Sequence, residues 1–276
     1  MAFQPYRRTN GSSGKDVRAP RRVLLTNDDG PDSPFFKTWV PAIKEITGWE
    51  TFVCLPAGPE SFVSKALAKG PIQVSRIEEG VVHVSGPPAT CVNIALHNLG
   101  LTDVDLVISG PNVGHNTGLS SLMSSGTVGA ALEGALAGKK GVALSFPFFN
   151  GWENWNQEDI DSAIQVAGKV VTDLWWDWRP SVELYNVNVP LGFRDEKGQR
   201  VEPEVIFTTI DRASYTSLYR QSETDPDSFV WAPKGLRVFQ TDDSELQRGA
   251  DVHTIKHGNV SVTPMVAQFA ESPHFE

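Results

Sequence analysis

Short apolar segments alternate with amphipathic ones from Val23 to about Pro190, which leaves few folds open to the chain. The runs "VLLTN", "TFVCLP", "VVHVSGPPA", "VDLVISG", "GVALSF" and "VELYNVNVP" predict strands. The intervening segments "FFKTWVPAIKEITG", "TCVNIALHNLG", "TVGAALEGALAGKK" and "EDIDSAIQVAGKVVTDLWW" predict helices, although Pro41 makes the first half of the first helix uncertain. Apolar strands alternating with helices indicate an α/β fold, so we predict a Rossmann-like, mostly parallel sheet with helices on both faces.

The pattern changes beyond Pro190. The segments "VEPEVIFTTI", "SFVWAPKG" and "GNVSVTPMVAQF" resemble strands without long helices between them. We therefore expect residues 21–190 to form the core and residues 191–276 a β-rich extension of the same domain, as hairpins or an arm that joins subunits. The polar residues 1–20 lack the apolar centre of a secretory signal and are expected to form a flexible tail.

Charge and cysteine content exclude several classes of partner. The formal net charge is −9, which argues against a nucleic-acid polymer because phosphate backbones need a basic surface. No segment has the apolar length of a membrane span, so no membrane partner is expected. Cys54 and Cys91 lie in apolar surroundings and are interpreted as core thiols of a reducing compartment, which favours a cytoplasmic location.

Two adjacent carboxylates, Asp28 and Asp29, directly follow the first predicted strand. Their mutual repulsion would raise one pKa unless a cation compensates both charges. Oxygen ligands suit Mg²⁺ or Mn²⁺, and also Ca²⁺, better than zinc. On the dipeptide alone, an Asx turn in which one Asp caps the following helix is the simpler interpretation.

Two further polar segments follow predicted strands, at the sheet edge where parallel sheets bind ligands. The segment "SSGTVGAALEG" places Ser125, Gly126 and Thr127 at a helix N-terminus, where hydroxyl and N–H groups favour an anion. The segment "SGPNVGHNTG" adds the amides Asn112 and Asn116. Ordinary helix capping and a tight polar turn are the respective alternatives. A cation site and an anion site at one edge together predict metal-assisted chemistry on a phosphate ester.

The motifs "VLLTNDDG", "VSGPPATCVNIAL", "DLVISGPNVGHNTG" and "SSGTVGAALEGALA" resemble those of the SurE family, the stationary-phase survival proteins. The resemblance implies a divalent-metal-dependent acid phosphatase that acts on nucleoside monophosphates, built as a homodimer or homotetramer. It implies metal ligands at Asp28, Asp29, Ser61 and Asn112, and phosphate contacts at Asn116, Ser125, Gly126 and Thr127. The loop "AGPESFVS" around Ser61 departs from the family pattern because it lacks the usual Asp and Arg.

These observations predict hydrolysis of nucleoside monophosphates and of other small phosphate esters by a metal-activated water. Asp28 or Asp29 is the expected base for that water. Two alternatives stay open at this point. One is a phosphatase with an aspartyl nucleophile at the end of the first strand. The other is a non-catalytic nucleotide-binding protein of the same fold.

Overall fold

A nine-stranded sheet runs through the protein. The computed structural model describes residues 18–149, 155–195, 197–233 and 241–269, so most of the predicted flexible tail lies outside the described residues. The strands of the sheet are β1 (Arg22–Thr26), β2 (Thr51–Pro56), β3 (Val74–Glu78), β4 (Val81–Val84), β5 (Val104–Val113), β6 (Lys140–Phe146), β7 (Leu184–Asn188), β8 (Val205–Phe207) and β11 (Val260–Met265). Their order across the sheet is β3-β4-β2-β1-β5-β6-β7-β11-β8.

The inner part of the sheet is parallel, as the alternating pattern predicts. Strands β4, β2, β1, β5, β6 and β7 pair in parallel, while β3 joins β4 and β11 joins β7 in antiparallel fashion. The predicted α/β fold with a mostly parallel sheet is therefore confirmed. Strand β1 has β2 on one side and β5 on the other, so the direction in which strands are added to the sheet reverses at β1. Crevices at such reversals, beyond the carboxyl ends of the strands, are where open α/β sheets bind ligands.

Helices cover both faces of the sheet. They are α1 (Pro34–Thr47), α2 (Pro88–His97), α3 (Leu119–Ser124), α4 (Gly126–Leu136), α5 (Gln157–Trp176) and α6 (Asp251–Lys256). Helices α1 and α5 share one core, which includes the fully buried Phe35, Trp39 and Ile43. Helices α2 and α4 pack on the opposite face, where Cys54, Cys91 and Ala130 belong to a second core. Both cysteines are buried and free, so the prediction of core thiols is confirmed.

Helix α1 continues through Pro41 without a break. Proline removes one backbone donor from a helix interior. The ring lies on the exposed side, whereas Phe35, Phe36, Trp39 and Ile43 are buried on the other. Burial of this apolar face outweighs the missing hydrogen bond, since each such side chain contributes about 1.5–3 kcal/mol.

The C-terminal segment contributes in two ways. Strands β8 and β11 extend the central sheet beyond β7, while β9 (Tyr219–Gln221) and β10 (Phe229–Trp231) pair as a separate antiparallel hairpin. The short elements β3, β9, α3 and α6 are not anticipated by the sequence pattern, because three to six residues carry too little periodicity. Assembly through this region stays a prediction. Among the described residues, no helix combines the length and apolar character needed to cross a membrane.

Candidate active site

The turn after β1 is closed by the side chain of Asn27, so neither Asp28 nor Asp29 is needed to form it. Asn27 Nδ2 donates to the carbonyl of Gly30 at 2.8 Å, and Gly30 N–H donates back to Asn27 Oδ1 at 3.2 Å. The N-terminus of α1 is capped by Ser33, whose hydroxyl accepts from Phe36 N–H. The alternative in which an aspartate forms the Asx turn and caps the helix is therefore wrong.

Asp28 is 4% exposed and is held by the first turn of α4. Its Oδ1 accepts from the Thr127 hydroxyl at 2.6 Å and its Oδ2 from Thr127 N–H at 3.2 Å. A Cβ atom on Gly126 would lie 3.0 Å from Asp28 Cβ, so a glycine allows the helix to approach this closely. The hydroxyl and the N–H group of Thr127 both donate to Asp28. The predicted contact of Thr127 with a phosphate stays a prediction.

Asp29 points towards the end of β5, where its Oδ2 accepts from Val113 N–H at 2.8 Å. Burial raises the pKa of Asp28 to about 6, against the opposing effect of the Thr127 hydrogen bonds. Burial and the neighbouring charge of Asp28 raise the pKa of Asp29 to about 7. The two carboxylates therefore share a poorly solvated region without full compensation of their charge.

A cleft of about 360 Å³ opens beside the aspartates, within the size range of small-molecule sites. Its lining consists of Asp28, Ser61, Phe62, Asn112, Val113, Gly114, His115, Asn116, Ser121, Ser124, Ser125, Phe148 and Tyr215. None of these lining residues is a lysine or an arginine. His115 is uncharged near neutral pH, because burial lowers its pKa to about 4. Within the described part of the chain, no ion pair involves Asp28 or Asp29.

Three of the four predicted metal ligands line this cleft, and the fourth contacts a residue that lines it. Asp28, Ser61 and Asn112 line it, and Asp29 bonds to the lining residue Val113. All four side chains offer oxygen atoms, and two of them are carboxylates that form no ion pair with a basic side chain of the described residues. This donor set fits a hard divalent cation such as Mg²⁺, Mn²⁺ or Ca²⁺. No group of three or more His, Cys, Asp and Glu residues suited to a metal occurs among the described residues, so neutral oxygen donors would complete the site.

The loop that carries Ser61 is attached to both sides of the cleft. Glu60 N–H donates to the carbonyl of Asp28 at 2.7 Å, and Ser64 N–H donates to the carbonyl of Ser124 at 2.9 Å. These two backbone bonds place Ser61 beside the aspartates. Ser125 caps α4 through its hydroxyl, which accepts from Val128 N–H at 3.1 Å, and it also lines the cleft. The capping interpretation of Ser125 is thus confirmed, and it is compatible with an anion contact.

Asn116 is positioned by two buried amides that the sequence analysis does not single out. Asn116 N–H donates to Asn188 Oδ1 at 2.9 Å, and Asn186 Nδ2 donates to the Asn116 carbonyl at 2.7 Å. The Asn116 amide itself donates to Ser145 Oγ at 2.8 Å. Asparagines two residues apart in the fully buried strand β7 are a readable signal, since buried amides need partners.

Fold and site together define an α/β protein with an acidic, oxygen-lined cleft at the carboxyl edge of a parallel sheet. The chain belongs to the SurE family: residues 23–217 match the family described as survival protein SurE.

Similar proteins agree with this assignment. A 5′-nucleotidase SurE of Archaeoglobus fulgidus is 30% identical over 92% of this chain and 95% of its own length. A probable tubulin–tyrosine ligase of Saccharomyces cerevisiae is 29% identical over 92% of this chain, which spans only 42% of the yeast protein. The crystal structure of the SurE protein from Aquifex aeolicus superposes with a TM-score of 0.69 at 27% identity, covering 90% of this chain and 94% of that one.

Proposed function

We propose that this protein is a divalent-metal-dependent phosphomonoesterase that hydrolyses nucleoside monophosphates. The observation that carries the proposal is the charge of the cleft. One carboxylate, Asp28, lines a site of substrate size, a second, Asp29, bonds to the lining residue Val113, and none of the lining residues is a lysine or an arginine. A phosphate dianion would be repelled from such a site unless a cation occupied it. The substrate class is supported by relatives named 5′-nucleotidases, one of which is 31% identical over 88% of this chain and 89% of its own length, from Xanthomonas axonopodis.

Asp28, Asp29, Ser61 and Asn112 would hold the cation, with Mg²⁺ or Mn²⁺ as the foremost candidates. When bound, the cation supplies positive charge to the phosphate and makes a water molecule more acidic. Asp29 is the better base for that water, because among the described residues only its Oδ2 accepts a hydrogen bond, from Val113 N–H. Both oxygens of Asp28 are bonded to Thr127, which suits a fixed ligand.

The phosphate would sit against the Ser125 hydroxyl, the N-terminus of α4 and the Asn116 amide. These groups stabilise charge on the non-bridging oxygens as it develops. The water oxygen bonds to phosphorus as the ester P–O bond breaks, and the electron pair leaves with the ester oxygen, which takes up a proton from solvent. Asp29 accepts a proton from the attacking water. The products are inorganic phosphate and the free nucleoside.

Two alternatives make different predictions for one experiment. A phosphatase assay is run on a panel of monophosphates with a chelator, and again after divalent cations are added back. The proposal expects activity that the chelator removes and Mg²⁺ or Mn²⁺ restores. A trapped aspartyl phosphate would support the nucleophile route, which the Thr127 bonds of Asp28 disfavour. Nucleotide binding without turnover would identify a non-catalytic binder.

The thermal shift caused by Mg²⁺ is expected to grow as the pH rises from 5 to 8. The pKa values of Asp28 and Asp29 are higher in the fold than the value of about 3.9 for an aspartate in the unfolded chain. This difference stabilises the metal-free fold, and the stabilisation is complete at pH values below about 3.9. This contribution is lost as the pH rises through the folded values, about 6 and 7. A bound cation reverses the loss because it binds the ionised pair. The check is the difference in Tm with and without Mg²⁺ at each pH. A shift that does not depend on pH would contradict the assignment.

Ser61→Ala is expected to weaken cation affinity and kcat/KM modestly, by roughly 2- to 10-fold. A hydroxyl is a neutral ligand, and water can take its coordination position. Ser64→Ala is the matched control from the same loop, where the interaction with Ser124 is made by the backbone. It should change both quantities by less than about twofold. Cation titrations followed by calorimetry separate the two variants, and equal losses in both would indicate a general disturbance of the loop.

A further inference from the structure

Three aromatic side chains stand at the cleft beside the predicted metal ligands. Phe62 and Tyr215 line the cleft itself. Trp231 of β10 packs edge-on against Phe62, with ring centroids 4.9 Å apart, and the rings of Phe62 and Tyr215 lie 6.2 Å apart. We propose that this aromatic wall, formed by Phe62, Tyr215 and Trp231, receives the leaving group of the substrate and selects esters whose leaving group carries a flat aromatic ring. The inference rests on the proposed phosphatase function.

Phe62 is held in the wall at a conformational cost. Its φ is +59°, a backbone conformation that residues with a side chain rarely adopt. The loop is fixed on both sides of Phe62, since Glu60 N–H bonds to Asp28 and Ser64 N–H bonds to Ser124. Phe62 is nevertheless 46% exposed, so core burial does not explain its presence. Strained residues of this kind concentrate at functional sites.

The other two rings are fixed by different parts of the chain. The Tyr215 hydroxyl shares a hydrogen bond of 2.6 Å with Ser124 Oγ, next to the predicted phosphate contact Ser125. Trp231 is 47% exposed and also packs edge-on against Tyr219, its partner across the hairpin, whose ring centroid is 5.3 Å away. The wall therefore presents aromatic surface to solvent while its members remain in place.

Position and chemistry together determine the occupant. Phe62 and Tyr215 line the same cleft as Asp28, Ser61 and Ser125, so a leaving group that extends from a phosphate bound there can reach the wall within one cleft. Aromatic faces stack with any flat π system, and stacking does not distinguish bases by their hydrogen-bonding groups. The Tyr215 hydroxyl is already engaged by Ser124. The wall thus favours nucleoside and aryl phosphates over aliphatic ones, with little distinction between purines and pyrimidines.

Phe62→Gly tests the wall without a risk to folding, because glycine adopts the positive φ readily. The assay compares kcat/KM for adenosine and uridine 5′-monophosphates and phenyl phosphate with that for glycerol 3-phosphate, at saturating Mg²⁺. The ratio of aromatic to aliphatic values is expected to fall roughly 5- to 100-fold, mainly through KM. The Tm should stay equal or rise. An unchanged ratio, or a Tm that falls with no change of ratio, would overturn the inference.

Trp231→Leu and Trp176→Leu form a matched pair. Trp176 is 46% exposed, almost the same as Trp231, but it is the last residue of α5 and follows Trp175, whose ring lies against Lys140 at the amino end of β6. Only Trp231→Leu should lower the ratio. If Trp231→Leu instead changes the sedimentation coefficient and leaves the ratio intact, the surface is an interface between two copies of the chain and the inference fails.

Failure of the proposed function gives a different result. If the wild-type protein hydrolyses none of the esters, calorimetric titration with adenosine 5′-monophosphate in the presence of Mg²⁺ still tests the wall. Binding that weakens in Phe62→Gly but not in Trp176→Leu keeps the inference while the phosphatase function is lost. Equal binding in both variants would contradict the inference about the aromatic wall.

Discussion

Asp29→Asn is expected to reduce kcat/KM for nucleoside monophosphates by at least roughly 10²-fold and to abolish the response to added Mg²⁺. The substitution removes the proposed base, whose typical contribution is about 10²–10⁴-fold, and one of the two charged cation ligands. The fold should persist, because the amide oxygen can still accept the hydrogen bond of Val113 N–H. Steady-state kinetics and calorimetric Mg²⁺ titration measure the two losses separately.

The same variant is expected to be more stable than the wild type when no cation is present. Burial and the charge of Asp28 raise the pKa of Asp29 to about 7, so its ionised form is disfavoured in the fold at pH 8. Asparagine removes that repulsion, and the Tm in chelator should rise by roughly 2–8 °C. A more stable but inactive variant would show that Asp29 lowers the stability of the cation-free fold and is needed for activity.

Asp32→Asn provides the control. Asp32 lies three residues away, its side chain is 96% exposed, and it forms a surface ion pair with Lys37. Its replacement should leave cation affinity, turnover and Tm close to the wild-type values, since exposed ion pairs contribute about 0–1 kcal/mol. Full activity in Asp29→Asn, or equal losses in both variants, would contradict the metal assignment.

The sequence predicts the location of the site because strand order and ligand position are linked. Asp28 and Asp29 follow β1 and Asn112 lies near the end of β5, and parallel neighbours bring such residues to one edge. The same rule predicts that the loop after β2 reaches this edge with Ser61. The pattern is sufficient here, since these strands are buried and almost continuously apolar and each is followed directly by a polar loop.

The internal support of the site is not readable in the same way. Thr127 binds Asp28 across 99 residues, Asn188 binds Asn116 across 72, and Tyr215 binds Ser124 across 91. None of these pairs has a local signature, because each depends on how distant segments pack. The sequence analysis therefore interprets Thr127 as a phosphate contact, whereas its observed contact is with an aspartate. The aromatic wall escapes prediction for the same reason, as its members come from three separated segments.

Contact between the Ser61 loop and α4 predicts a second large effect, for Gly129→Ala. A Cβ atom at Gly129 would lie 2.2 Å from the carbonyl oxygen of Ser64 and 2.6 Å from its carbonyl carbon. The loop backbone therefore rests directly on the helix. Alanine improves helix propensity by about 1 kcal/mol relative to glycine, so a simple helix argument predicts stabilisation. The steric conflict involves backbone atoms that cannot rotate away, and we expect it to dominate.

Either the loop or the helix must move in Gly129→Ala, and both carry parts of the site. We expect a net loss of about 1–3 kcal/mol of stability, the usual cost of overpacking, together with a fall in kcat/KM at temperatures where the variant is folded. Displacement of the loop would move Ser61 and Phe62 away from Asp28, to which Glu60 is bonded. Urea unfolding and the substrate panel measure the two effects. Gly58→Ala is the control from the same loop, because its Cβ would meet no atom within 4 Å and its φ is not positive. A Gly129→Ala protein with stability raised by the helix propensity alone would show that the loop does not rest on α4 in solution.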